Sequence, residues 1–131
     1  MARETVVKND RYIFEVDQDI NRLFFTFLGF YENATVVPDF RSDALKTLDK
    51  LQPGFTSLVD TTKFKTPPQD VLDLFNKVQE DMIARGVSKN AEVVSSAFVE
   101  VNLEELASRS EFGKVLRQFK SMSEALSWLN E

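Results

Sequence analysis

Two lysines, Lys63 and Lys65, stand directly ahead of Thr66-Pro67-Pro68-Gln69, a stretch that reads as the opening of a helix. Cations beside a helix N-terminus suit an anion, because the first turn presents free N–H groups at the positive end of the helix dipole. Here that chemistry is blunted. Pro67 and Pro68 carry no N–H, and Asp70 places a negative charge in the same first turn. The arrangement suits a protein contact better than a phosphate, with Phe64 as an apolar anchor and the lysines complementing an acidic partner. Ahead of the lysines, a short strand of residues 55–59 reaches Asp60 and a loop of Thr61, Thr62, Lys63, Phe64 and Lys65. The carboxyl end of a strand feeding a helix is where α/β proteins tend to place ligands. Asp60 there is either a ligand or base, or a turn aspartate bonded to its own backbone. No second carboxylate is placed to pair with it for acid–base work.

The composition removes most enzymatic options. The chain of 131 residues has no Cys and no His, so thiol catalysis, thiolate metal sites and His-based triads or zinc sites are excluded. The Asp residues are dispersed, with no calcium-loop spacing, and the four Gly form no phosphate-cradling loop. No cofactor and no metal site is expected, and no enzymatic activity. The net charge of −5, without a basic run, argues against nucleic acid. No apolar stretch approaches the ~20 residues that span a bilayer. The first residues, Met-Ala-Arg-Glu-Thr, contain no apolar signal segment, and a cytoplasmic location is the expectation.

The elements that must position these residues follow from periodicity. Residues 1–10 are polar and predict a flexible N-terminal segment, leaving 11–131 as one domain. Tyr12, Phe14 and Val16 alternate as one face of a strand, and Asp17-Gln18-Asp19 supplies a turn. Residues 23–28 are apolar on nearly both faces, which marks a central strand paired as an antiparallel hairpin with the first and closed by Gly29. Phe40, Ala44, Leu45, Leu48 and Leu51 form a helical stripe over residues 38–51, stopped by Pro53-Gly54. Val71, Leu74, Phe75, Val78 and Met82 form a second over residues 66–85. Its predicted devices are a Thr66/Gln69 capping box with Pro67 at the first position, and i,i+4 pairs Asp73–Lys77 and Asp81–Arg85. A buried strand over 91–98, a short helix capped by Asn102 and Glu105, a last strand over 115–119 and a terminal helix boxed by Ser121 and Glu124 complete the chain. In that terminal helix Met122, Ala125, Leu126 and Leu129 face inward, with Trp128 off the stripe and partly buried. Strands separated by amphipathic helices imply parallel crossovers. The sum is an α/β sandwich: a mixed five-stranded sheet with an antiparallel N-terminal hairpin and about four helices.

This order of elements resembles the STAS domains, the anti-sigma-factor antagonist (SpoIIAA-like) family. The likeness is carried by the strand at Val93-Val94-Ser95-Ser96-Ala97-Phe98, by Phe112-Gly113, and by the strand over 115–119. The ending Ser121-Met122-Ser123-Glu124-Ala125-Leu126-Ser127-Trp128-Leu129 adds to it. Residues 23–28 with Gly29, and 55–60, match the family's second and third strands. The resemblance covers roughly residues 11–131 and implies the SpoIIAA-like fold. The phospho-switch members carry Asp-Ser-Ser-Gly at the start of the helix after the third strand. Thr66-Pro67-Pro68-Gln69 stands in that place, so Thr62 or Thr66 is what remains nearest to a phosphoacceptor.

The expected function is a non-enzymatic regulatory or protein-interaction module of STAS type. Its expected partner face comprises Phe30, Tyr31, Asp60, Thr61, Thr62, Lys63, Phe64, Lys65 and Thr66. The alternative is a carrier that binds an apolar or lipid-like ligand between the helices and a sheet rich in the chain's 12 Phe. A Phe-lined pocket of ~300 Å³ or more is the feature that separates the carrier from the module.

Overall fold

The computed structural model describes residues 3–94 and 115–131. Six strands lie in one sheet in chain order. They are β1 (Glu4–Lys8), β2 (Tyr12–Asp17), β3 (Arg22–Gly29), β4 (Thr56–Phe64), β5 (Lys89–Val93) and β6 (Leu116–Phe119). β1, β2 and β3 pair antiparallel; β3, β4, β5 and β6 pair parallel. Three α-helices fall among the described residues: α1 (Phe40–Leu48), α2 (Gln69–Ala84) and α3 (Met122–Leu129).

The two-residue period of the strands divides the apolar side chains between two faces. Tyr12, Phe14, Val16, Leu23, Phe25, Phe27 and Val59 pack with Phe40, Ala44 and Leu48 of α1 and with Val71, Phe75, Val78 and Met82 of α2. Phe24, Leu58, Ala91 and Val93 point the other way, onto Ala125 and Leu129 of α3. β3 and β4 therefore feed both cores, as the apolar run over 23–28 predicts. α3 is fixed at both ends. Ser121 accepts from the Glu124 N–H, while Lys89 donates to the Trp128 carbonyl at 2.9 Å and Arg22 to Asn130 Oδ1 at 3.0 Å. Cations suit a helix C-terminus, where the unbonded carbonyls gather.

Several expectations need correction, each for a local reason. The sheet has six strands, because residues 4–8 form β1 within the segment expected to be a flexible tail. An edge strand has a single neighbour and needs little apolar content, and only Val6 and Val7 of β1 are half-buried. Residues 61–64, expected to be loop, continue β4. Their partner β3 runs on to Gly29, pairing Leu28 with Lys63 and Gly29 with Phe64 after a register shift between Thr26 and Leu28. Such a shift lets one strand carry an extra residue without ending the ladder. Asp60 Oδ1 holds that stretch by accepting from the Thr62 N–H at 2.9 Å and the Thr62 hydroxyl at 2.7 Å.

The Thr66/Gln69 capping box does not form. α2 starts at Gln69, with Pro68 as an extended N-cap that makes no side-chain bond. A residue before proline is driven out of the helical region, so Pro67, which precedes Pro68, cannot open the helix. Gln69 instead donates to Asp73 at 2.9 Å. Asp81 and Asp49 pair across to the other helix, so the expected Asp81–Arg85 pair along α2 gives way to two interhelical ones. Arg41 binds Asp81 through two bonds of 2.9 and 3.0 Å, and Arg85 pairs with Asp49. α1 is also shorter than the predicted 38–51, Leu74 is half-buried, and Met122 is exposed. The short helix at Asn102 and Glu105, the residues Ser95 and Ser96, and Phe112-Gly113 lie outside the described residues.

Two outcomes test this packing. Phe75 is 8% exposed and stacks on Phe27 with centroids 5.0 Å apart. Phe75→Ala is expected to lower stability by about 3–5 kcal/mol in chemical denaturation, and a loss under about 1 kcal/mol would place it on the wrong face. The caps differ in the same assay. Thr66→Ala is expected to change stability by less than about 0.5 kcal/mol, and Ser121→Ala to cost about 0.5–1 kcal/mol.

Candidate functional site

The carboxyl ends of β3 and β4 meet at one rim of the sheet. Gly29 has φ 76°, in the left-handed region that glycine adopts without strain. That backbone turn separates two consecutive aromatics. Phe30 is turned outward and is 42% exposed, while Tyr31 is fully buried with its ring 4.7 Å from Phe64. Four bonds hold the turn in place. The Lys65 N–H donates to the Gly29 carbonyl at 2.8 Å. The Tyr31 hydroxyl donates to the Arg11 carbonyl at 2.6 Å. Arg11 Nη1 donates to the Phe30 carbonyl at 2.7 Å and to Glu32 Oε1 at 3.0 Å. Next to it, Asn33 caps a single 3₁₀ turn, Ala34–Val36, and Asp70 of α2 accepts from the Ala34 N–H at 2.8 Å.

The nine residues expected to form a partner face are brought to this rim but do not share one surface. Phe30, Lys63 and Lys65 are exposed. Tyr31, Thr61 and Phe64 are buried, and Asp60, Thr62 and Thr66 are half-buried. Phe64 points into the aromatic core because the register shift ahead of it sets its parity in the strand. Its place as the exposed aromatic is taken by Phe30. The Thr61 hydroxyl donates to the Val93 carbonyl at 2.8 Å, tying β4 to the end of β5. Asp60 takes the turn role, bonded to Thr62. Sequence reasoning missed Arg11 and Glu32 and took Asp70 only as a charge opposing an anion; all three fasten the rim. Arg11 was accessible from pairing arithmetic. The hairpin pairs Asp17 with Arg22 and Tyr12 with Phe27, so the next pair outward sets Arg11 beside Leu28. The Leu28 N–H does donate to the Arg11 carbonyl, at 2.9 Å.

Burial raises the pKa of the Tyr31 hydroxyl, and the neighbouring Tyr12 adds to it. Tyr12 is raised by burial and then by its bond to Asp43, at 2.6 Å. Neither phenol is poised to ionise near neutrality. Glu32 is shifted the other way. Its own backbone hydrogen bond, and then the Arg11 side chain, hold its carboxyl below the ordinary 4.5.

Behind the rim a cavity of about 50 Å³ lies between α2 and the sheet, among Phe25, Phe27, Phe64 and Phe75 with Thr61 and Asn90 on one wall. It occupies the place expected for an apolar ligand. Its size is far below the ~300 Å³ at which small-molecule sites begin. A depression of about 310 Å³ lies elsewhere, at the surface beside Asp10, Asp39 and Asp43. It is polar, and Asp43 is already engaged by the Tyr12 hydroxyl. Among the described residues no group of three or more carboxylates is placed to hold a metal ion, and no helix is long and apolar enough to cross a membrane.

A sheet covered on one face by α1 and α2 and on the other by α3 is an α/β sandwich. The chain is similar to the crystal structure of an uncharacterized protein of the DUF3478 family from Shewanella loihica PV-4, which is described as having a SpoIIAA-like fold. The TM-score is 0.61 at 17% identity, over 98% of this chain and 96% of that one. No protein-family model and no curated protein matches the sequence. The likeness establishes the fold alone.

The rim's ion pair has a pH signature. In an NMR titration the Glu32 carboxyl is expected to titrate below 4.5, and Arg11→Gln to move it back upward. A carboxyl depressed in the folded state contributes fully above its unfolded value and loses that contribution as pH falls through the folded one. The tie to Arg11 is therefore intact at neutral pH and released only in acid. An unchanged Glu32 midpoint in the variant would show that Arg11 does not set it.

Proposed function

We propose that this chain is a non-enzymatic interaction module of STAS type that engages a protein partner through the rim at the carboxyl ends of β3 and β4. The observation that carries the reading is Phe30. A large aromatic side chain is held outward on a backbone fixed by the Arg11 and Lys65 bonds. Aromatic residues are favoured anchors in protein interfaces, and an anchor that is already ordered loses less conformational freedom on binding. The chain has no His or Cys, and among the described residues the rim brings together no nucleophile–base pair, which supports a non-enzymatic reading. The Asp-Ser-Ser-Gly element of phospho-switch relatives is missing, and Thr66 stands outside α2, ahead of two prolines. The module is accordingly read as a docking surface without that switch. The carrier reading ranks behind it, since a cavity of about 50 Å³ has no room for a lipid chain.

A photo-crosslinking residue placed at position 30 tests the proposal, with one at Ile20 as control. Ile20 is 50% exposed but sits in the β2–β3 turn, at the opposite end of β3. In the native extract, position 30 is expected to give a discrete crosslinked species that excess unmodified protein competes away. Equal labelling from both positions, or from Ile20 alone, would remove the rim from consideration.

A further inference from the structure

We infer that the segment docking at this rim is acidic and extended, with carboxylates at alternate positions. The inference rests on the reading of the rim as an interaction surface and adds the chemistry of the partner. Three described carboxylates at the rim each accept a hydrogen bond. Glu32 accepts from Arg11, Asp60 from the Thr62 N–H and hydroxyl, and Asp70 from the Ala34 N–H. The side chains of Lys63 and Lys65 have neither a hydrogen bond nor an ion pair among the described residues, and both residues are exposed. Two ammonium groups thus stand exposed and without a side-chain partner beside Phe30, the exposed aromatic among the described residues, on a chain of net charge −5.

Geometry sharpens the match. Lys63 lies in β4 opposite Leu28, and the Lys65 N–H is bonded to Gly29, so this backbone is fixed through both residues. Two residues along an extended chain repeat at about 6.6 Å. An extended segment with Glu or Asp at every second position has the same repeat and places two carboxylates against the two ammonium groups. Phe30 leaves the sheet next to Lys65 and offers the apolar contact beside them. The pairing also explains how an acidic protein receives an acidic ligand. At physiological salt the repulsion from the rest of the chain is screened beyond about 8 Å, and the contacts at the rim are not. A free phosphate fits less well, because Pro67 and Pro68 remove the amide donors that would cradle it.

The test is a titration of the ¹⁵N-labelled chain with two synthetic peptides of Glu, Ser and Leu, identical except that the second has Lys for Glu. Inorganic phosphate serves as a third probe. The acidic peptide is expected to give saturable amide shifts at Phe30, Lys63 and Lys65, and the basic peptide none there. Lys63→Glu with Lys65→Glu is expected to weaken the acidic peptide about tenfold and to admit the basic one. Both lysines are exposed and unpaired, so the double variant is expected to keep its fold, which the unchanged remainder of the amide spectrum reports. Shifts at the same amides with the basic peptide alone would overturn the charge assignment and leave the rim as an interaction surface. Shifts with phosphate matching those of the acidic peptide would replace the segment with a simple anion site. Absence of any shift with all three probes would reject the acidic segment, while crosslinking at position 30 decides the rim separately.

Discussion

The main core depends on the aromatic contact between α1, α2 and the β2–β3 hairpin. Phe40 of α1 lies 5.4 Å from Phe14 and 5.6 Å from Phe27, and 5.2 Å from Phe75 of α2. Phe75 in turn stacks on Phe27. One set of rings therefore joins two helices and two strands. Phenylalanine suits this work because it buries a large apolar area and leaves no polar atom to satisfy. The bidentate Arg41–Asp81 pair and the Arg85–Asp49 pair then cross between the helices at the surface, where such pairs add little energy but favour one alignment.

The rim is a consequence of that core. Tyr31 and Phe64 extend the ring cluster to the end of the sheet, and their burial fixes which way the neighbouring residues point. With Tyr31 inward, Gly29 directs Phe30 outward. With Phe64 inward, strand alternation directs Lys63 and Lys65 outward. The exposed half of the candidate site is held by the buried half. The same packing leaves a cavity of about 50 Å³ between α2 and the sheet. The Ser57–Asn90 side-chain bond and the Thr61 bond to Val93 satisfy polar groups in this layer, and no buried side-chain N or O atom among the described residues lacks a partner.

On the second face, among the described residues, Phe24, Leu58, Ala91 and Val93 have Ala125 and Leu129 of α3 as buried partners. That small contact is reinforced by Lys89 and Arg22, which bind the last residues of the helix and its C-terminal turn. Arg22 is buried enough that loss of solvent lowers its pKa, with Asp17 acting in the opposite direction. A short helix gains much of its placement from its ends when its apolar face is narrow.

The sequence by itself determined the alternation of Tyr12, Phe14 and Val16, the doubly buried run of β3, the stripe of α2 and the serine cap of α3. Each depends on neighbours a few residues apart, so local periodicity carries it. The late start of α2 was also legible, because Pro67 before Pro68 forbids a helical conformation. Tertiary structure alone decided the rest. β1 exists because β2 offers an edge, and β4 extends to Phe64 because β3 is long enough to pair with it. Asp81 meets Arg41 and not Arg85 because α1 packs alongside. Tyr31 rather than Phe30 is buried because its ring meets Phe40, Phe64 and Phe75, and Phe64 is buried because a register shift sets its parity. These outcomes depend on partners distant in the chain, and a one-residue change in register exchanges the inward and outward sets.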